Sequence, residues 1–351
     1  MRLYVPDPLS QYLVHPLFEF RYPTGKTQRG LFREQLPPNF FEEVEYVDLS
    51  AAEAIVLAHN FNRLDDAARA YIQRYADMGE ASGLPVFVFA HADFADRLHF
   101  DPRVYVFRYS LYRRTKTKRD IMTPTLVEDL GRNGITLREK QEVPLISFCG
   151  RAAVKSLRTR VRMQVSVMWY EALGFFDCRF RAYLPGVYWR VRAMRACTSS
   201  ALVRTHFIVR RTFSGHPASI ELDPSTARRE FIDTIINSDF VLAPKGDGNY
   251  SNRFQEALSL GRLPLYIETE SVLPLEGVIE YDRIMVRVPM EKVTDAPVLA
   301  RAYYDALSRD EYVLRQKEAR QVFERYIRPD AFYRYVFTVA LPGNTLETLN
   351  S

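Results

Sequence analysis

The stretch 238–268, SDFVLAPKGDGNYSNRFQEALSLGRLPLYIE, decides how this chain folds. An apolar run at 240–243 enters a polar loop holding Gly246, Asp247, Gly248 and Asn249, and a second apolar run follows at 263–267. Short continuous apolar runs bounded by turn residues, with a helical period between them, predict a βαβ unit in a parallel sheet. Ser251 is a good N-cap, and Phe254, Ala257 and Leu258 form the i, i+3, i+4 face that lies on the sheet. Gly261 supplies the stop and Pro264 opens the next strand. Arg253 and Glu256, three apart, share a helix face beside the loop.

Such a loop suits a phosphate-bearing ligand. Two glycines let the backbone approach closely, and the helix N-terminus offers free N–H groups and partial positive charge. Lys245 adds a mobile cation, Arg253 a forked one, and Glu256 an acceptor for ribose hydroxyls. The competing reading is an ordinary βα turn with an Arg253–Glu256 surface ion pair. No Gly-Lys-Ser/Thr follows, which excludes a Walker A loop. Gly246 and Gly248 match a dinucleotide fingerprint, but Ser251 stands where its third glycine belongs. Glu268 lies about twenty residues on, so that alternative stays open.

The same segment resembles the signature of exostosin-like glycosyltransferases (family 47), especially compact bacterial and viral members. The resemblance rests on a strand ending Ala-Pro-Lys-Gly, a small residue before Arg, a Glu-Ala-Leu helix and a Gly-Arg-Leu-Pro strand opening. It implies that Arg253 contacts the donor diphosphate and Glu256 the ribose, with Lys245, Gly246, Asp247, Gly248, Asn249, Ser251 and Asn252 in the donor loop. It extends with varying strength over 85–335 and is firm across 231–275.

Composition narrows the class. The 351 residues suffice for a large core and predict two domains. No apolar run nears the ~20 residues of a membrane span, and the N-terminus lacks a basic-then-apolar segment. Eukaryotic exostosin relatives carry such an anchor, so a cytoplasmic, bacterial or viral version is expected. The odd three cysteines, Cys149, Cys178 and Cys197, without Cys-x-x-Cys spacing, read as free thiols rather than a zinc set. The net charge of +5 is concentrated: 151–211 holds twelve arginines and one lysine against Glu171 and Asp177. That block suggests an anionic partner, whether nucleotide diphosphate, acidic glycan, lipid headgroup or nucleic acid, or else a solvated basic face.

Along the chain, 1–5 reads as a strand and 21–38 as a Pro/Gly-broken loop. Strands are expected at 46–49 and 54–58, His59, Asn60 and Asn62 as polar loop, and a helix at 65–78. The buried strand 85–90 leads into HADFADRL, placing His91, Asp93 and Asp96 at a strand's carboxyl end, where open α/β sheets gather ligand sites. A carboxylate or imidazole there would deprotonate an acceptor hydroxyl, or simply form an Asx turn or N-cap. This run, with the following strand (104–107) and Arg-Tyr-Ser-Leu-Tyr-Arg, also resembles the family; Asp93 is the first choice of base and His91 the second. RRTKTKR (113–119) reads as a loop. The strand 144–148 precedes a Cys149-Gly150-Arg151 turn, with Arg151 or Arg158 as a further phosphate candidate, then a helix with Leu157, Val161, Val165 and Met168 on one face. His206 and His216, flanking RRTFSG (210–215), are too far apart for a metal pair. Glu276 and Asp282 are cleft candidates without a role. Helices are expected at 301–307 and 310–326, and fraying at 342–351.

The resemblance implies an α/β fold of GT-B architecture: two facing Rossmann-like domains with a cleft between them and C-terminal helices packing back across the first. The expected division is an acceptor-side domain at 1–140, a donor-binding domain at 141–325 and a returning segment at 326–351. The implied activity is inverting transfer from a nucleotide-diphosphate sugar, most simply a UDP-sugar, to a hydroxyl of a neutral or anionic glycan in polysaccharide or glycoconjugate synthesis. No cofactor or metal is expected, since Asp-x-Asp is absent, and peripheral membrane association is a candidate; nucleic acid is not an expected partner. Alternatives are a fucosyltransferase or Cap10-like enzyme, an NAD-binding oxidoreductase, or a basic nucleic-acid-binding protein.

Overall fold

The computed structural model describes residues 1–18, 22, 44–153, 157–210 and 223–349. The loop expected at 21–38 (Tyr22 apart), the RRTFSG run beyond Arg210 and His216 lie outside them.

Two parallel sheets organise the chain. The first is built from β1 (Arg2–Tyr4), β2 (Glu45–Tyr46), β3 (Ala54–Asn60), β4 (Val86–Ala90), β5 (Tyr105–Arg108) and β6 (Asp120–Met122), in the order β2-β1-β3-β4-β5-β6. Helix α1 (Asp66–Ser82) crosses from β3 to β4, capped by Asp65, whose side chain accepts from Ala68 N, and stopped at left-handed Gly83. The second sheet begins with β7 (Leu145–Arg151), followed by α2 (Leu157–Phe176), α3 (Gly186–Thr198), β8 (Arg204–Arg210), α4 (Pro224–Ile236), β9 (Phe240–Ala243), α5 (Asn252–Ser259), β10 (Leu263–Glu268) and β11 (Val286–Pro289). Its order is β8-β7-β9-β10-β11. The fold is α/β, and β3, β4 and β9, buried along their whole length, show why continuous apolar runs were readable as central strands.

The 238–268 unit forms as the pattern demands. Phe240 and Leu242 face the layer shared with Trp189 and Ala193 of α3, while Val241 packs with Ile235 of α4 and Ala257 of α5. Gly261 adopts φ +64° beyond the last turn of α5. The chain closes with α6 (Ala296–Asp305), α7 (Arg309–Val322), a wide turn at Phe323–Ile327 and α8 (Pro329–Tyr335). From this closing segment, Tyr333 and Phe337 bring their rings to 5.4 and 5.9 Å from Phe107 of β5, so it packs on the first sheet. Among the described residues no helix is long and apolar enough to cross a membrane.

Several expectations are corrected. His59 and Asn60 continue β3 instead of forming a loop, because burial is offset locally: His59 Nε2 accepts from Leu9 N at 2.8 Å and Asn60 Oδ1 from His91 N at 2.7 Å. Cys149-Gly150-Arg151 is the end of β7 rather than a turn. β6 and β8 were not foreseen: the first is only three residues long, and the second is a half-exposed edge strand rich in polar groups. The tail at 342–349 does not fray, since Leu346 and Leu349 are buried and Leu349 O accepts from Gly277 N. The helix expected after β7 forms as α2, and its face carrying Leu157, Val161, Val165 and Met168 points outward and is exposed.

Candidate functional site

In the second sheet the chain enters at β7, runs to one side as β8, then crosses back to the other side as β9. Between the carboxyl ends of β7 and β9 the connections therefore diverge, leaving the crevice where open parallel sheets bind ligands. Three segments meet there: Cys149 to Arg151, the β9–α5 loop, and the start of α3.

Glycines set their spacing. Gly150 has φ +150°, and a Cβ on it would lie 2.4 Å from Arg253 Nη2. Without that Cβ, the Arg253 guanidinium lies on the strand, donates to Cys149 O at 3.0 Å and sits 4.2 Å from the Phe148 ring centre. A Cβ on Gly186 would meet Gly246 O at 2.2 Å, so α3 begins directly against the loop. Gly246 N donates to Tyr250 O at 2.7 Å and closes the turn.

Arginines gather in this crevice. Arg151 Nη2 donates to Asp247 Oδ1 at 2.9 Å, and Arg190, only 8% exposed, donates to Arg151 O at 2.8 Å and Lys245 O at 3.1 Å. Burial, with Arg253 and Arg151 adding to it, pushes Arg190 down to about 9. Burial also lowers Arg253. Among the described residues, the Nε atoms of Arg151, Arg190 and Arg253 and the Ser251 Oγ are buried with no hydrogen-bond partner. Buried polar groups are ordinarily satisfied, so four orphans around one loop mark a place where an oxygen-rich anion would complete the bonding.

The donor-loop residues do not all serve that crevice. Lys245 is not a mobile cation: it is buried, its ammonium donates to Ala182 O at 2.6 Å and Tyr112 Oη at 3.2 Å, and burial pushes it down to about 7. The cause is the tight docking of the loop beneath Tyr112, which stacks on Tyr183 at 4.4 Å. Asn249, fully buried, joins the two halves: its backbone N donates to Ser110 Oγ, and its side chain bonds Leu111 O, Thr269 O and Thr269 Oγ1. Asp247 and Asn252 are exposed. Ser251 holds the N-cap position with extended backbone, but its side chain makes no capping bond. Glu256 pairs with Arg228 at 3.6 Å rather than forming the ion pair with Arg253 that the spacing suggested, and burial raises its carboxyl.

Asp93 arrives at the same loop from the first sheet. Its Oδ1 accepts from Tyr250 Oη at 2.6 Å, and a Cβ on Gly248 would sit 2.8 Å from Asp93 O. The carboxyl ends of β4 and β9 thus face each other across Gly248. His91 is placed differently. It is buried, with Nδ1 2.8 Å from His15 Nε2, Nε2 3.1 Å from Thr123 Oγ1, and its ring stacked on Tyr109 at 3.8 Å. Those contacts occupy both ring nitrogens inside the first sheet's core, so the second-choice base is an interior hydrogen-bonding group. Glu276 bonds Arg113 at 2.7 Å and Asp282 bonds Arg287 at 3.2 Å, in a charged cleft of about 700 Å³ whose opposite charges face one another. Arg158 stands exposed on α2, and His206 lies in β8.

Arg190 was missed. Its sequence signal is visible in retrospect: it lies four residues after Gly186, so helical spacing turns both to the β9–α5 loop. Among the described residues no group of three or more His, Cys, Asp or Glu side chains gathers as a metal site.

No protein-family model matches the chain, and no curated protein matches it. Among solved structures, a glycosyltransferase from Rickettsia africae ESF-5 is similar over 96% of this chain and 97% of its own, at 11% sequence identity and a TM-score of 0.37.

Proposed function

We propose that the crevice between β7 and β9 binds the diphosphate of a nucleotide sugar, and that the protein transfers the sugar to a hydroxyl acceptor on the Asp93 side. The observation that carries this reading is the cluster of Arg151, Arg190 and Arg253, whose buried Nε groups lack partners at a parallel-sheet switch point. Forked guanidinium donors match the oxygens of phosphate. The exostosin-like sequence of 238–268 supplies the sugar-transfer part, with Glu256 toward the ribose.

In this reading Asp93 takes the acceptor proton as the acceptor oxygen attacks the anomeric carbon in line. The bond from that carbon to the diphosphate oxygen breaks, and its electron pair leaves with the nucleotide. The arginines stabilise the departing charge, in place of the Lys245 assigned from sequence. Inversion, a UDP donor, a glycan acceptor, metal independence, the GT-B arrangement and domain boundaries near 140 and 325 belong to this same proposal.

Thermal-shift measurements with UDP, GDP, CMP and NAD test it, on the wild type and on Arg253→Ala and Arg151→Ala. A ligand at a hundred times its dissociation constant adds about 2.7 kcal/mol. Stabilisation by one nucleoside diphosphate, lost in both variants, is expected. Asp93→Asn should keep that shift while losing transfer from the matching nucleotide sugar. Stabilisation by NAD alone, or a diphosphate shift indifferent to both arginines, refutes the proposal.

A further inference from the structure

Helix α2 presents an apolar surface that the rest of the fold leaves open. Its inner side packs through Val167 and Tyr170, and buried Gly174 rests on Arg181. Its outer side carries Leu157, Val161, Val165, Met168, Trp169, Phe175 and Phe176, with Met168 73% and both phenylalanines 85% exposed. At roughly 100° per residue these positions fall in one stripe along the helix. The same spacing puts exposed Arg160 on one edge of the stripe and exposed Arg158 and Arg162 on the other. The stripe's inner neighbour is a cleft of about 690 Å³ against α3, with Met163, Val187 and Val191 in its wall and Arg192 and Arg195 beside them.

A helix apolar on both sides is normally buried, and a contiguous exposed apolar face marks an interaction surface. Arginines on both edges at the N-terminal end of the stripe, with large apolar side chains between and beyond them, form the pattern of a helix lying in a bilayer interface, where aliphatic and aromatic groups sink below anionic headgroups. A second copy of the chain would cover the apolar side chains but leave the clustered arginine charge without an anionic partner. We infer that α2 docks this protein on an anionic lipid surface, with the 157–176 stripe inserted and Arg158, Arg160 and Arg162 on the headgroups. The inference stands independently of the nucleotide-sugar proposal.

Trp169 reports on it directly. It is the exposed one of two tryptophans, the other, Trp189, being 1% exposed. The experiment is to titrate the full chain with vesicles of phosphatidylcholine alone and of phosphatidylcholine mixed with phosphatidylglycerol, following tryptophan emission and vesicle co-sedimentation. A blue shift and co-sedimentation with the anionic vesicles only, weakened by salt, are expected. Replacing Arg158, Arg160 and Arg162 by Gln should weaken binding on the order of a hundredfold, about fivefold per arginine. Phe175→Ser with Phe176→Ser should abolish the blue shift. These side chains are exposed, so the fold and its nucleotide response should survive in both variants. Absence of vesicle binding, binding unchanged in both variants, or a solution dimer that the phenylalanine variant dissociates would overturn the inference, the last by assigning the face to a second copy.

Discussion

Arg190→Met should weaken ligand binding while leaving the ligand-free protein nearly as stable as wild type. Burial, with Arg253 and Arg151 adding to it, lowers this guanidinium by more than three pH units from its ordinary value, to about 9. At roughly 1.4 kcal/mol per pH unit, holding it charged there costs about 5 kcal/mol. Its bonds to Arg151 O and Lys245 O return roughly 1.5–3 kcal/mol each. The two sides nearly cancel, so the methionine variant should fall within about 2 kcal/mol of wild type. Arg108 is the internal comparison. It is equally buried but paired with buried Asp120, and Arg108→Met strands that carboxylate at a cost of about 3–5 kcal/mol. Urea unfolding of the two variants measures the stability side. Titration calorimetry with the stabilising nucleoside diphosphate measures the other, where Arg190→Met should lose about 1.5–3 kcal/mol, tenfold or more. If Arg190→Met is destabilised as far as Arg108→Met and binds the nucleotide unchanged, Arg190 is a structural cation and the argument from its orphaned Nε fails.

Three further outcomes follow from the same interlocked loops. Lys245 is lowered from 10.5 to about 7 by burial. Its cost is fully present below pH 7, where both states hold the proton, and is relieved as pH rises toward 10.5, because only the unfolded chain still binds it. Stability should therefore gain about 1.4 kcal/mol per pH unit from this group across that window, and urea midpoints of Lys245→Met should lack the gain. Gly248→Ala puts a Cβ 2.8 Å from Asp93 O and 2.9 Å from Asp93 Cα, so it should cost about 1–3 kcal/mol in thermal unfolding and weaken the Tyr250–Asp93 bond. Asn249→Ala strands Leu111 O, Thr269 O and the Thr269 hydroxyl, and denaturant titration should show a loss of about 2–4 kcal/mol.

What the sequence by itself determined is local. The βαβ unit at 238–268 was legible because strand length, helical period, N-cap and glycine stop are properties of neighbours in the chain, and its helix buries Phe254, Ala257 and Leu258 as read. The nearness of Arg253 to the loop was legible for the same reason, since it follows the glycines closely in the chain. β8 was not, because a half-exposed edge strand with polar alternation lacks the apolar run that marks its neighbours. Periodicity also showed that α2 has an apolar face, but not whether anything covers it.

Only the tertiary structure decided where charges end up. Lys245 and Arg253 are eight residues apart and looked equally available, yet Lys245 is turned under Tyr112 and bonds Ala182 while Arg253 lies along the end of β7. His91 and Asp93 are two residues apart, yet His91 closes onto His15 in the core and Asp93 reaches Tyr250. Arg190 entered the site from a helix that the reading had not placed. Burial and desolvation depend on what the opposite sheet brings to a residue, and that partner lies tens to hundreds of positions away in the chain.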